Sequence, residues 1–231
     1  MRLLVSVRSV DEALFVAACD GVDLIDLKEP RRGALGDLPA ATLCAIVAAL
    51  RAAGCTRSVS ATIGDAAPGD LDAMLARVDE VAACGVDLVK VGVDPMHREA
   101  PRRLDALAGC GHAVVPVFLA DRGWDFGCVQ AAARHAFPAL MADTGDKRAG
   151  SLFDRCRDAD LCRFVETARA AGRPVGLAGS LQPHDLPALR RLGPDFAGFR
   201  SAVCRGDRSG ALDPARLGAL VAQARAVAAT A

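Results

Sequence analysis

Short apolar runs rich in Val, Ile and Leu alternate with Ala-rich amphipathic segments along the whole chain. The apolar runs predict eight β-strands, at residues 3–7, 22–27, 58–63, 86–92, 113–119, 139–143, 174–179 and 195–199. The segments between them show the helical spacing of apolar residues, as at 38–53, 70–83, 126–136, 159–171, 184–192 and 214–228. Strands that are hydrophobic on both faces are typical of a parallel sheet covered by helices.

Glycines end several of the predicted helices just before the next strand, where a left-handed cap is expected. They are Gly21, Gly54, Gly85, Gly172 and Gly193. Eight strand–helix units in 231 residues predict an α/β protein with one catalytic domain, a (β/α)8 TIM barrel over residues 1–231. An open doubly wound sheet is the alternative, but neither of its usual nucleotide signatures, G-x-G-x-x-G or G-x-x-x-x-G-K-[ST], follows a predicted strand.

The charge balance and the cysteines limit the partners and the compartment. The 28 basic and 28 acidic residues form no block of like charge, which argues against nucleic acid or an anionic membrane as a partner. No window approaches the roughly 18 apolar residues of a membrane helix, and the apolar run before Arg8 is too short for a signal peptide. Nine scattered cysteines without a C-x-x-C pair indicate reduced thiols, mostly in the core, in a cytoplasmic protein. Ala-rich outer helices with exposed apolar positions favour a homo-oligomer.

The basic residues are strongly biased towards arginine. Of the 28, 25 are arginine and only Lys28, Lys90 and Lys147 are lysine. Arginine supplies charge and salt bridges, but its guanidinium stays protonated and cannot act as an amine nucleophile. The three lysines are therefore candidates for amine chemistry, with codon bias as the alternative explanation.

Unusual polar residues stand at the carboxyl ends of the predicted strands, where TIM barrels carry their active sites. Asp26 and Lys28 end the second strand, Thr62 and Asp65 the third, Lys90 the fourth, Asp121 the fifth and Asp143 the sixth, with Lys147 in the loop that follows. We expect these side chains to face one barrel mouth and to contact the substrate. All three lysines fall on this rim, which weakens the codon-bias explanation.

Asp26 and Lys28 share one face of their strand with Leu24, so both charges are expected to be buried. A structural ion pair is one explanation, and a functional pair is the other. If Lys90 reaches the same mouth, two neighbouring ammonium groups favour a neutral amine on one of them, which Schiff-base chemistry requires. Lys147 lies in a G-D-K-R-A-G loop that fits a solvated turn equally well.

The loops after the seventh and eighth strands predict a phosphate site, because such loops in TIM barrels bind phosphate through backbone N–H groups. The candidate residues are Gly179, Ser180, Gly198, Arg200 and Ser201. A phosphorylated small-molecule substrate is therefore expected, although turn glycines with a surface arginine would give the same pattern. The four histidines lack ligand spacing and tyrosine is absent, so no metal or other cofactor is predicted and Asp and Lys side chains are expected to transfer protons.

Six segments carry a family resemblance, in the order DLIDLKEPRRGALG, SATIGD, LVKVGV, MADTGDKRAGSLFD, GLAGSL and GFRSAVCRGDRSG. With them the chain resembles the (5-formylfuran-3-yl)methyl phosphate synthases, barrel enzymes of methanofuran biosynthesis in methanogens, with relatives in methylotrophic bacteria that make methylofuran. The resemblance implies a class I aldolase-like lyase. It would condense two molecules of glyceraldehyde 3-phosphate to a furan aldehyde phosphate, with loss of phosphate and water.

By motif, the resemblance implies that Lys28 forms the Schiff base, with Asp26 as its companion. It also implies that Asp143 and Lys147 act as acid and base, and that Lys90 belongs to the site. Three alternatives stay open: another triose-phosphate aldolase, a barrel decarboxylase or isomerase that uses Asp26 and Lys28 without an imine, and a non-catalytic phosphosugar-binding barrel.

Overall fold

The structure, a computed structural model, describes residues 1–65 and 70–229 and shows eight parallel strands closed into a barrel. The strands are β1 (Arg2–Val7), β2 (Leu24–Leu27), β3 (Ser58–Thr62), β4 (Leu88–Val93), β5 (Val114–Leu119), β6 (Leu140–Asp143), β7 (Val175–Leu177) and β8 (Phe196–Phe199). Each strand pairs with the next along the chain, and β8 pairs with β1. The predicted TIM barrel is confirmed, and the open sheet is wrong because the pairing of β8 with β1 leaves none of the eight strands with a free edge.

Helices cover the outside of the barrel. They are α1 (Val10–Ala18), α2 (Ala40–Ala52), α3 (Leu71–Ala83), α4 (Ala100–Gly109), α5 (Phe126–Arg134), α6 (Leu152–Arg155), α7 (Asp158–Ala170), α8 (Leu186–Leu192) and α9 (Pro214–Ala229). Short 3₁₀ turns follow β5, β7 and β8, at Ala120–Arg122, Pro183–Asp185 and Ser201–Val203. No described helix is long and apolar enough to cross a membrane.

Glycines set several boundaries. The five predicted helix-ending glycines all have positive φ, between 68° at Gly193 and 98° at Gly21. Strand β7 ends at Leu177, earlier than predicted, because the chain turns out of the sheet at Gly179 and Ser180, with φ values of 119° and 48°. This turn is one wall of the site described below.

Alternate residues of a strand face the helices or the inside of the barrel. In β2, Ile25 and Leu27 pack in the large core under the helices, whereas Leu24 belongs to an apolar cluster inside the barrel. Asp26 shares the inward face with Leu24 and is only 2% exposed. The charged residues of the barrel mouth therefore lie on an apolar inner core.

All nine cysteines are free thiols, but they are less buried than the sequence predicts. Only Cys84, Cys128 and Cys204 are buried, and Cys44 is exposed. Helix faces at the outside of a barrel are only partly covered, so an apolar helix position is often half-buried.

Candidate active site

Three neighbouring strands bring polar side chains together inside the barrel. Ser6 in β1, Asp26 in β2 and Ser60 in β3 are partners in the parallel register. Ser6 Oγ donates a 3.0 Å hydrogen bond to Asp26 Oδ2, and Ser60 Oγ donates a 2.7 Å hydrogen bond to Asp26 Oδ1. All three residues are buried, so the serine hydroxyls replace water around the carboxylate.

Lys90 in β4 adds a third donor to Asp26. Its Nζ lies 2.8 Å from Asp26 Oδ1, and the residue is 3% exposed. Burial alone would raise the pKa of Asp26, but the ammonium groups of Lys90 and Lys28 outweigh burial and hold this pKa below its usual value. Burial lowers the pKa of Lys90, and the Asp26 carboxylate opposes that shift. We call Asp26 and Lys90 the strand pair.

A second buried carboxylate, Asp143, ends β6 and lies near Lys28. Lys28 Nζ is 3.7 Å from Asp143 Oδ2, which is an ion-pair contact but longer than a hydrogen bond. Within the described residues the Lys28 amine makes no hydrogen bond, and no ion pair joins it to Asp26. The explanation of Asp26 and Lys28 as one structural ion pair is therefore wrong, because each has a different partner.

Lys147, in the loop after β6, contacts the other oxygen of Asp143. Its Nζ donates to Asp143 Oδ1 and, at 3.3 Å, to Thr144 Oγ1. Only 6% of its side chain is exposed, so the solvated-turn explanation is wrong. Burial lowers the pKa of Lys147 to about 8, against the opposing effect of Asp143. Burial would raise the pKa of Asp143, but Lys147 and Lys28 hold it below its usual value. We call Asp143 and Lys147 the loop pair.

Two side chains fix the loop that carries Lys147. Asp121 Oδ1 accepts a 2.6 Å hydrogen bond from the Gly145 N–H, and Asp121 Oδ2 accepts one of 2.8 Å from the Asp146 N–H. Ser180 Oγ donates to the Lys147 carbonyl at 3.2 Å. Asp121 thus influences the site through the backbone of this loop.

Four backbone N–H groups are unpaired at the ends of β7 and β8. Those of Gly179, Ser180, Arg200 and Ser201 have no protein acceptor within residues 1–65 and 70–229. A Cβ on Gly179 would lie 3.0 Å from the Thr144 side chain, so the turn requires glycine there. Unpaired N–H groups at the ends of barrel strands bind anions such as phosphate. We call these four groups the amide cradle.

The Arg200 side chain is not available to a ligand, which leaves its backbone N–H for the phosphate role that the sequence predicts. All five of its N–H donors are used: two bind the Glu12 carboxylate, and the others bind carbonyl oxygens of Ser6, Arg208 and Gly210. Burial would raise the pKa of Glu12, but Arg200 outweighs burial and lowers it. Arg200 can therefore serve a phosphate only through its backbone, and its side chain holds the loop after β8 against β1 and α1.

One small cavity, the inner cavity, joins these groups at the barrel mouth. Its lining includes Lys28, Lys147, Asp26, Asp143, Gly198 and the four residues of the amide cradle. The structure thus brings together most of the predicted site residues. Since the cavity holds an amine, two carboxylates and an anion-binding wall, it suits a phosphorylated carbonyl compound.

Four predicted site residues do not line this cavity within the described part of the chain: Lys90, Thr62, Asp65 and Asp121. Lys90 lies behind Asp26. Thr62 is buried and its Oγ1 donates to the Gly36 carbonyl at 3.0 Å, and Asp65 is exposed beside Gly33. The Thr62 hydrogen bond supports the loop after β2.

Sequence reasoning missed Ser6, Ser60, Glu12 and Arg208. Ser6 and Ser60 had a usable signal, since they are polar residues on the inward face of hydrophobic strands and in register with Asp26. Glu12 and Arg208 had none, because the partner of Glu12, Arg200, is 188 residues away in the chain, and the partner of Arg208, Gly33, is 175 residues away.

The fold and the cavity define a class, a TIM-barrel enzyme whose mouth combines buried Lys–Asp pairs with an anion-binding loop pair. The described residues contain no group of three or more His, Cys, Asp or Glu side chains placed to hold a metal ion.

Comparison with known sequences gives the family. Residues 3–221 match the profile described as 4-HFC-P synthase. A putative (5-formylfuran-3-yl)methyl phosphate synthase of Methylorubrum extorquens is 41% identical over 226 residues, which cover 97% of this chain and 92% of that protein. The (5-formylfuran-3-yl)methyl phosphate synthase of Methanosarcina mazei is 32% identical over 241 residues, with 98% and 100% covered. The chain belongs to the 4-HFC-P synthase family, which confirms the resemblance seen in the sequence.

Solved structures with a similar fold include a phosphoribosyl anthranilate isomerase from Thermus thermophilus, with a TM-score of 0.68, 19% identity, and 98% of this chain and 100% of that chain covered. A 3-hexulose-6-phosphate synthase has a TM-score of 0.61 and 21% identity, with 98% and 99% covered. At this identity the two structures support the barrel fold alone.

Proposed function

We propose that this protein condenses two molecules of glyceraldehyde 3-phosphate to (5-formylfuran-3-yl)methyl phosphate, through a Schiff base on Lys28. The names of the relatives support the product, and the amide cradle in the cavity of Lys28 supports a phosphorylated carbonyl substrate. By the family resemblance, the product would serve methylofuran or methanofuran biosynthesis, and the nine free thiols support a cytoplasmic enzyme.

The connectivity of this product fixes how two intact trioses combine. The formyl carbon, the ring carbon that carries it and the adjacent ring CH come from one triose, whose third carbon has lost its phosphate. The phosphate-bearing methylene, the ring carbon that carries it and the remaining ring CH form the other triose. The new C–C bond therefore joins carbon 3 of the first triose to carbon 2 of the second, which must react as a ketone after isomerisation.

The chemistry then follows in balanced steps. The Lys28 amine adds to the aldehyde of the first triose and loses water to form an iminium. Removal of the proton on carbon 2 gives an enamine, which expels phosphate from carbon 3. The resulting enol attacks the ketone of the second triose through carbon 3, which leaves a carbonyl at carbon 2 of the first triose. The terminal hydroxyl of the second triose adds to this carbonyl and closes the ring as a hemiketal. Loss of two waters makes the furan, and hydrolysis of the imine returns the water released at the start.

The geometry suggests a role for each charged group. Asp143 Oδ2 faces Lys28 Nζ and accepts no hydrogen bond from the described residues, so it suits the base that removes the carbon 2 proton. Lys147 is an ammonium group below pH 8 and suits the acid that protonates the departing phosphate. Asp26 stays ionised and stabilises the iminium at a distance, while Lys90 positions Asp26 and does not itself reach the cavity.

The single observation that carries the proposal is the Lys28 amine, which makes no hydrogen bond within residues 1–65 and 70–229 and lies 3.7 Å from a carboxylate in a cavity with an amide cradle. The test is incubation with glyceraldehyde 3-phosphate alone, with and without borohydride. We expect phosphate release, an aromatic product, and a reduced triose adduct on Lys28 in a peptide map. A peptide map without modified Lys28, in a preparation that makes the furan, would rule out the imine.

A second candidate function is a barrel decarboxylase or isomerase that moves protons with Asp26 and Lys28 without an imine, since both side chains line the inner cavity. Such an enzyme would keep its full activity after treatment with borohydride and substrate. It would also release no inorganic phosphate, so the same experiment separates the two functions.

A further inference from the structure

A second cavity adjoins the inner cavity, and we call it the outer cavity. It has a volume of about 950 Å³, opens to solvent, and is formed by the loops after β2, β6, β7 and β8. Lys147, Ser180, Ser201 and Arg208 line both cavities, whereas Lys28 lines only the inner one. A triose bound as an imine on Lys28 must therefore lie in the inner cavity, and the space left for a second triose is the outer cavity.

Arg208 lies at the junction of the two cavities and is incompletely paired. Its Nη1 donates to the Gly33 carbonyl at 3.2 Å, and its Nη2 donates to the Ala34 carbonyl at 3.4 Å. No ion pair joins it to a carboxylate within the described residues. A guanidinium has five N–H donors, so three remain for a ligand. This is the opposite of Arg200 in the same loop, whose five donors all bind the protein.

The outer cavity has the charge that a phosphate needs. Arg31 and Arg148 line it as exposed cations beside the partly buried Arg208. Two carboxylates, Asp146 and Asp207, also line the outer cavity, against the four cations Arg31, Lys147, Arg148 and Arg208. Asp207 Oδ1 accepts hydrogen bonds of 2.8 Å from the Ser209 N–H and 2.6 Å from the Ser209 hydroxyl. A guanidinium fork binds phosphate with two parallel hydrogen bonds, which fixes orientation as well as charge.

We propose that Arg208 binds the phosphate of the second triose, the one that does not form the imine and that keeps its phosphate in the product. This inference rests on the proposed function, which requires two phosphorylated substrates at one mouth. The amide cradle then holds the phosphate of the imine-bound triose, and the two phosphates occupy separate sites.

The test compares Arg208→Ala with a matched control, Arg205→Ala, from the same loop. Arg205 pairs with Asp213 at 3.0 Å, its side chain is 72% exposed, and it lines neither cavity. Arg208→Ala leaves the loop anchored, because Arg200 binds the backbone carbonyls of Arg208 and Gly210. Both variants are incubated with glyceraldehyde 3-phosphate, and three quantities are measured: the Lys28 borohydride adduct, phosphate release and furan formation.

We expect Arg208→Ala to keep the adduct yield within twofold and to form furan about tenfold to a hundredfold more slowly. Phosphate release should then exceed furan formation, because the first triose still eliminates phosphate but meets no partner. The wild type and Arg205→Ala should release one phosphate per furan. A purely structural role would lower the adduct and the furan in parallel, and that result would overturn the proposal, as would an unchanged rate.

A binding measurement separates this proposal from the proposed function. Glycerol 3-phosphate has no carbonyl and cannot form an imine, so calorimetry with it counts phosphate sites without chemistry. We expect two sites in the wild type and in Arg205→Ala, and one in Arg208→Ala. Two sites in Arg208→Ala would contradict the role of Arg208 even if the furan is made. The expected stoichiometries together with no furan from the wild type would contradict the proposed reaction alone.

Discussion

The strand pair and the loop pair contain the same two residue types but differ in how they are held. Asp26 and Lys90 both lie on strands, and Asp26 receives three donors, from Ser6, Ser60 and Lys90. In the loop pair, Asp143 ends a strand, but Lys147 lies in a loop whose backbone depends on Asp121 and Ser180.

The difference indicates that the two pairs have different roles in the chemistry at Lys28. Both oxygens of Asp26 already accept hydrogen bonds, and Lys90 lies on the side of Asp26 away from the inner cavity. The strand pair can therefore supply a fixed negative charge but is badly placed to move protons. No described residue donates a hydrogen bond to Asp143 Oδ2, and Lys147, whose pKa burial lowers to about 8, borders the inner cavity. The loop pair is therefore the one suited to proton transfer during the reaction.

The largest effect is expected from Lys28→Arg, which keeps a positive charge between the two pairs but removes the nucleophile. Furan formation should fall by at least about a thousandfold, because a guanidinium does not form an imine. Borohydride trapping should give no adduct, and the melting temperature should stay within a few degrees of the wild type. If Lys28→Arg retained a tenth of the activity, the reaction would not pass through an imine on Lys28.

The second prediction concerns the stability of the strand pair, which is buried. Lys90→Met removes the hydrogen-bonded cation from a carboxylate that is 2% exposed, and we expect a loss of about 3–5 kcal/mol in the free energy of unfolding. The double variant Asp26→Leu with Lys90→Met should recover at least half of that stability and none of the activity. Urea unfolding of both variants provides the measurement.

Lys147→Met is the matched control for that experiment. Lys147 lines the outer cavity, which opens to solvent, so water can take the place of its ammonium group beside Asp143. The loss of stability should therefore be smaller than for Lys90→Met. Equal losses in the two pairs would contradict the distinction between them.

The barrel and its mouth were predictable from the sequence because their signals are local. Hydrophobic runs, helix-ending glycines and polar residues at strand ends are properties of a few neighbouring residues, and they predicted all eight strands and the position of the three lysines. The pairing of the charges was not predictable in this way. Asp26 contacts Lys90, 64 residues away in the chain, and not Lys28.

The role of the Arg200 side chain also depends on long-range contacts that the sequence does not predict. Its place after β8 predicts a phosphate contact, but only the structure shows that Glu12 and three carbonyls use its whole side chain. Whether Lys147 is solvated or buried also depended on a long-range contact, since the loop after β6 is held by Asp121 of the neighbouring unit. Assigning these roles required the register and the loop positions together.

A smaller effect is expected in the pH dependence of the loop pair. Burial lowers the pKa of Lys147 to about 8, so the ammonium form is present below pH 8 and is lost above it. If this ammonium protonates the departing phosphate, the rate of furan formation should fall about tenfold per pH unit above pH 8.

Lys147→Arg provides the check, since a guanidinium does not titrate in this range. The variant should be slower overall, by about a hundredfold, and should show no descending limb near pH 8. A limb of unchanged position in Lys147→Arg would assign the titration to another group.

The smallest effect is expected from a substitution of Asp121, which holds the loop that carries Lys147. In Asp121→Asn, the amide oxygen can accept only on one side, so either the Gly145 or the Asp146 N–H faces an NH₂ group and loses its partner. We expect a rate loss of about fivefold to tenfold, equivalent to about 1 kcal/mol, because Lys147 is displaced but still present. The control is Asp94→Asn, which changes a carboxylate that binds Arg122 at 3.0 Å without contacting this loop, and which should stay within twofold of the wild type. If the two variants lose the same activity, then Asp121 does not act through the loop, and Lys147 holds its place by its contact with Asp143 alone.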